Sequence, residues 1–509
     1  MALSLVVAAA LTGCATSRKA QQAIPVAAPP TVVAATTTEP TNRVQPASYH
    51  DEVSDVRSTE AFPAPEQIDA RGAKSLEDDR PSLPLDMATA LGLTQAQNPR
   101  VAFAQAQIAQ SLAVHDAARA MWLPSIRTGG NYNKHEGKIQ QVEGDNITAS
   151  RGAAFGGLGA FAVGAGSPAI PGVYAMFHTT DAIFQRRITG YALEAREFQA
   201  TATMNDQLLE TALAYLALLE AAQRKAIAAE TLEHGAGLAR LTSEFARTGA
   251  GNEADADRAT AALALLKNEV ARAEESEAVA SARVSQQLSS DPTILIVPQE
   301  DNIVPIDLVP LDTMTMGDLV AAGLSNRPEL AASRSLVGEA VNRLKREENA
   351  PWLPSILLGM SYGGFGAGTG GQITNGGNRF DFDGVAWWEL RNLGVGEKAA
   401  RDNARAQIQQ ARMQEVQTMD LVAREVVETY SQVQARQKQI AAAKEGIAAA
   451  HRSYDRNLER IRNVQGLPIE VLQSIQALDA ARREYLRAVV DYNTAQFRLH
   501  RALGWPIGV

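Results

Sequence analysis

Trp122-Leu123-Pro124-Ser125-Ile126 returns unchanged as Trp352-Leu353-Pro354-Ser355-Ile356. Identical residues at an offset of 230 in a chain of 509 residues point to a duplicated unit, not to a solenoid array. The flanks show what was duplicated. Upstream of each copy a proline opens a helix: Pro99 follows Asn98, and Pro328 comes two residues after Asn326. Proline at the first turn sacrifices no hydrogen bond, because that N–H has no partner inside the helix, and Asn is a good cap there. Each helix is expected to run about 22–24 residues, until Pro124 or Pro354 stops it. A short helix precedes each, led by an extended Pro-Leu-Asp at Pro84–Asp86 and at Pro310–Asp312.

Downstream the period changes. Residues 125–134 and 355–364 are rich in Ile, Tyr, Ser, Thr and Gly, which suits strands. Partner strands are expected from Val173 and from Arg379, with glycine-rich loops between. In the second, Phe380 and Phe382 alternate with Asp381 and Asp383. Lipid on one side and water on the other produce that pattern, and so does an ordinary half-buried strand.

Helical periodicity then resumes for a long way. No proline lies between Pro171 and Pro292, and Pro468 is the only one between Gly394 and Leu503. Leu209, Leu213, Leu216 and Leu219 recur at spacings of three and four, as do Val422, Val426, Tyr430 and Val433. That is the seam of a coiled coil. Each run breaks once, at Gly249 and Gly251 or at Gly466, where glycine permits the reversal of an antiparallel helix hairpin. Tyr132 pairs with Tyr362 at the offset of 230, whereas Tyr215/Tyr430, Gly251/Gly466 and Leu288/Leu503 pair at 215. The first unit is therefore 15 residues longer, and the Gly/Ala-rich loop 146–172 is the expected place.

Bulk properties narrow the function. Net charge is −9 with no dense Lys/Arg run, so nucleic acid is not a partner. No apolar run of about 18 residues is present, so membrane residence needs a lipid or a β-barrel. Cys14 is the one cysteine, which excludes an internal disulfide. It closes an apolar run at Leu11-Thr12-Gly13-Cys14, which resembles a bacterial lipoprotein signal with lipidation at Cys14. Ala15 after it favours outer-membrane sorting in such lipoproteins. The expected organisation is a signal peptide (1–13), a lipidated, disordered Pro/Thr/Ala-rich leader (14–82), repeat one (83–293), a linker (294–307) and repeat two (308–509). Gly366 to Gly371 match a dinucleotide-type spacing, but a strand and not a helix follows. The seven histidines are scattered, and no nucleophile elbow is found. We expect no catalytic residue, cofactor or metal.

The order of these features, repeated twice over residues 83 to 506, resembles the TolC-like outer-membrane efflux proteins. The resemblance implies a mainly α fold with a membrane β part. Three chains give four strands each to a twelve-stranded β-barrel in outer-membrane lipid, and their long helices form an α-barrel across the periplasm. It implies a homotrimeric passive duct of a tripartite export system, docked by a periplasmic adaptor and, through it, by an inner-membrane pump. The tips at Thr248 to Glu253 (Gly249, Gly251, Asn252) and Asn463 to Pro468 (Gly466, Leu467, Pro468) become the docking ends. Glu253, Asp255, Asp257 and Glu470 form a pore ring, or else complement the helix dipole. The stretch Val471 to Ile475, where some relatives carry aspartates, has no acid here. Trp122, Pro124, Trp352 and Pro354 mark the helix-to-strand junctions; Trp387 and Trp388 lie at a strand end, where an aromatic girdle belongs. The competing reading is a periplasmic adaptor or structural coiled-coil lipoprotein, which has one helix hairpin and not two.

Overall fold

The computed structural model describes residues 80–509 apart from 127, 159–172, 301, 312, 464 and 507–509. The signal peptide, Cys14 and the leader up to residue 79 therefore lie outside the described residues.

The first repeat runs β1 (Ser82–Leu85), α1 (Met87–Gln97), α2 (Pro99–Arg119), a 3-10 turn (Ala120–Trp122), β2 (Ser125–Ile126), β3 (Thr128–Gln140), β4 (Asn146–Leu158), β5 (Val173–His178), α3 (Thr179–Thr248) and α4 (Glu253–Leu288). After β6 (Leu295–Pro298) the second repeat runs α5 (Met316–Asn326), α6 (Pro328–Asn349), β7 (Ser355–Thr369), β8 (Asn375–Trp387), α7 (Val395–Arg462) and α8 (Pro468–Ala502). The duplication expected from Trp122 and Trp352 is present helix by helix, with α1 to α4 answered by α5 to α8, while β2 to β5 of the first repeat are answered by the two strands β7 and β8. Asn98 opens α2 as expected: its side chain accepts from the N–H of Arg100. Arg327, not Asn326, is the corresponding residue before α6.

Strands β2 to β5, β7 and β8 form one antiparallel layer. β3 pairs with β4, β4 with β7, and β7 with β8 along its other edge. β5 also pairs with β7, and β2 with β5. Leu158 stands opposite Tyr362 and Val173 opposite Met360, so β4 and β5 are in line on β7 although 14 residues separate them in sequence. The layer thus reads β2/β3, β4/β5, β7, β8. The first 13 residues of the expected loop 146–172 are strand β4. Glycine and alanine hide this strand, because they carry no hydrophobic alternation. Glycine is required where β4 meets β7: a Cβ on Gly363 would lie 2.5 Å from the Gly156 carbonyl oxygen.

The helices repeat that order. α2 runs into β2, β5 into α3, α6 into β7, and β8 leads to α7 through a short turn. α2 packs on α3, α3 on α6 and α6 on α7; farther along, α4 packs on α3, α3 on α8 and α8 on α7. At 1.5 Å per residue the 70-residue α3 is about 105 Å long. With neighbours on both sides, α3 buries more than one stripe. Leu208, Ala212, Tyr215, Leu216, Leu218 and Leu219 are buried, while Leu209 and Leu213 of the expected seam are only partly so. In α7, Val422, Val426 and Val433 are fully buried and Tyr430 partly. Each such side chain contributes roughly 1.5–3 kcal/mol.

Two expectations change. The expected linker contains β6, which pairs in parallel with β1 and buries Ile296. In the second Pro-Leu-Asp, the described Pro310 and Leu311 form no strand, and Leu311 lies in a turn; Val309 before them is buried and donates its N–H to Gln496 Oε1 at 3.1 Å. No described helix is long and apolar enough to cross a membrane.

Candidate functional site

Three levels of the fold carry the candidate residues. At the sheet, cross-strand register separates two kinds of surface. Leu358 and Met360 share one face with Tyr362, Phe380 and Phe382, because Met360 pairs with Phe382 and Tyr362 with Phe380. All five are exposed. The opposite face carries Ser361, Phe365, Arg379, Asp381 and Asp383. There Arg379 bonds Asp381 at 2.9 Å and stacks over Phe365 at 5.5 Å, and Ser361 donates to Asp381. An apolar exposed face backed by a charged one distinguishes this sheet from a strand buried on one side by protein.

At the junction, Pro124 and Pro354 stand between the ends of α2 and α6 and the strands. Trp122 donates its indole N–H to the Ala182 carbonyl of α3 at 3.1 Å and lies 5.8 Å from the Phe177 ring. Trp352 does not copy it; it is 77% exposed against 49% for Trp122. Trp387 meets His178 edge-on at 6.4 Å, and Trp388 is exposed. An ion network that sequence reasoning missed lies beside them. Arg346 bonds Asp181 at 2.6 Å and Glu347 at 2.5 Å, and Arg391 bonds Glu347 and the buried Glu397 at 2.7 Å each. Arg391 holds the Glu397 carboxyl below the usual carboxylate range. These groups come from α3, α6, α7 and the turn before α7, spread along the chain from Asp181 to Glu397, so no local pattern marks them.

At the far ends of the long helices are the hairpin tips. Gly249 ends α3 in the left-handed region, at φ 75°, and Gly251 donates its N–H to the Phe245 carbonyl at 2.9 Å. Gly251 and Gly466 answer a different need, space. A Cβ on Gly251 would lie 2.9 Å from Phe245 Cβ, and one on Gly466 3.0 Å from the Ile461 nitrogen. Asn252 caps α4, accepting from the N–H of Ala254. Pro468 is the first residue of α8, and Leu467 before it is exposed. The four acids do not stand alike. Glu253 and Asp257 differ from the other two in making no side-chain ion pair among the described residues that would fix them, and Glu253 is exposed. Asp255 bonds Arg258 at 3.0 Å, and Glu470 bonds Arg460 at 3.1 Å. Glu253, Asp255 and Glu470 all sit in a first helical turn, where a negative charge complements the dipole. Val471 and Ile475 are buried with Leu238, Tyr454, Ile461 and Leu478 beneath the tips.

Residues 319–505, from α5 through the end of α8, match the family described as outer membrane efflux protein. No curated protein matches the chain. Solved outer-membrane channels share its fold. The outer-membrane channel OprN is 18% identical with a TM-score of 0.67, covering 82% of this chain and 90% of OprN. The CmeC outer membrane channel of Campylobacter jejuni is 14% identical with a TM-score of 0.67, covering 85% of this chain and 90% of its own. The open-state MtrE outer membrane channel of Neisseria gonorrhoeae is 15% identical with a TM-score of 0.61, covering 83% of this chain and 89% of its own. The fold is that of the TolC-like channels, an α-barrel joined to a β-barrel.

Proposed function

We propose that this chain is a passive, trimeric outer-membrane duct, docked at its hairpin tips by a periplasmic adaptor and through it by an inner-membrane pump. The observation that carries the reading is the four-stranded layer with an exposed apolar face. Its outermost strands, β3 and β8, each span 13 residues and have no strand on their outer edge among the described residues. Open backbone edges are not tolerated in lipid, so copies must pair edge to edge, and three copies supply twelve strands. The helices carry the same order, so a ring closed at the sheet is closed at the helices too. A lipid at Cys14 adds an anchor to this ring. Cargo is selected by the pump and adaptor, and the duct contributes no chemistry.

Detergent extracts of outer membranes test the reading. A three-chain particle that loses its mass on heating and conducts ions across a planar bilayer is expected; a helical monomer released by salt overturns it. Gly466→Val tests the tips separately. The side chain has no room against Ile461 and Arg460, so export should fall while trimers still form. Unchanged export removes the tips from the docking role.

A further inference from the structure

The turn between β8 and α7 holds an unfavourable conformation. Asn392 and Leu393 both have left-handed φ, 50° and 54°, followed by Gly394 at 89°. Glycine takes this region freely; leucine does not. Burial gives no compensation, because Leu393 is 92% exposed. The turn is nevertheless fixed. The Arg391 guanidinium reaches Glu347 of α6 and Glu397 of α7, and its backbone N–H also donates to Glu397. The first turn of α7 is packed beneath it, since a Cβ on Gly396 would lie 2.9 Å from the Asn392 side-chain oxygen. A clamped, disfavoured backbone that pushes a leucine into solvent calls for a partner.

The position in the row identifies that partner. Trp388, Leu390, Leu393 and Val395 are all exposed, and they lie at one end of the layer, between β8 and α7. At the opposite end, at the same helix-to-strand level between α2 and β2, Met121, Leu123 and Ile126 are exposed. Edge pairing of copies, as in the proposed ring, brings these two ends together head to tail. We propose that Leu393 is an intersubunit peg that seats on the Met121–Leu123–Ile126 surface of the next copy of this chain. The Arg391 clamp holds the peg at a fixed height, so sheet and helices of neighbouring copies engage in one register. This inference rests on the ring reading and adds the contact that sets its register.

The test is a short bismaleimide cross-link in the assembled protein with Leu123→Cys and Leu393→Cys together. Bands up to three chains are expected for the pair and none for either substitution alone. Leu393→Asp should lower the trimer population about tenfold or more, while Leu393→Met retains it. Particle mass separates the two failures. A three-chain particle without cross-links, in which the thiol introduced by Leu393→Cys reacts with a water-soluble maleimide as fast as in the unfolded chain, overturns the peg and leaves the ring. So does a Leu393→Trp fluorescence quenched by brominated lipid, which makes lipid the occupant. Absence of any three-chain particle in the unmutated protein overturns the ring itself.

Discussion

Asn98 and Arg327 occupy one backbone conformation in the two repeats, with φ −66° and ψ 125° and 123°. Each precedes the proline that opens a helix, and each is 3% exposed. Their solutions differ. Asn98 accepts from the Arg100 N–H at 2.9 Å and donates to the Gln287 carbonyl at 2.9 Å, a neutral knot within repeat one. Arg327 bonds Glu329 at 3.0 Å and Glu425 at 2.8 Å, and Arg501 joins Glu329, Glu425 and Asp206. That ionic knot ties α6, α7 and α8 to α3 and so bridges the repeats. A duplicated slot keeps its shape while its chemistry passes from local amide to cross-repeat charge.

The largest expected effect breaks the ionic side. Arg327→Leu leaves Glu329 and Glu425 to share the Arg501 guanidinium and should cost about 3 kcal/mol in denaturant unfolding. A loss below about 1 kcal/mol would mean that water already solvates the cluster. Acid should erase that difference. Burial raises the Glu329 carboxyl, but the bonds from Arg327 prevail and leave it below its ordinary value of 4.5. Its stabilisation is therefore complete above the unfolded value and lost as pH falls through the lower folded one. Melting curves of the unmutated protein and Arg327→Leu should converge as pH drops below about 4.5. Asn98→Ala comes next, at about 1–2 kcal/mol and with no such convergence, because no charge is involved. Asp206→Asn should be smallest, below about 1 kcal/mol. Burial raises the Asp206 carboxyl and Arg501 only partly offsets it, so removing that charge relieves a cost as well as losing a bond. A larger loss for Asp206→Asn than for Asn98→Ala reverses the order and locates the bridge between repeats at Asp206.

Much of this architecture was legible. Trp122 and Trp352 located the junctions, and Gly251 and Gly466 the reversals, because a proline stop and a forced close approach leave local marks. β4 was not legible, since Gly152, Gly156 and Gly157, which pair with Gly368, Gly364 and Gly363 of β7, carry no side chain that could alternate. Nor was the Arg327 cluster. Its partner Glu425 lies 98 residues away, and only the change from Asn-Pro to Arg-Pro between the repeats hinted that one slot had changed chemistry. The Arg391 turn escaped for the same reason, as a leucine with φ 54° has no sequence signature.

The length of α3 has a mechanical consequence. It begins at the residue after β5 and continues without interruption to the Gly249 turn, with no proline to act as a hinge. Such a rod is stiff in compression and bends only gently. A push at the hairpin end therefore arrives at the strand end with little loss, because nothing within the helix folds up to absorb it, so α3 serves as a strut between the two ends.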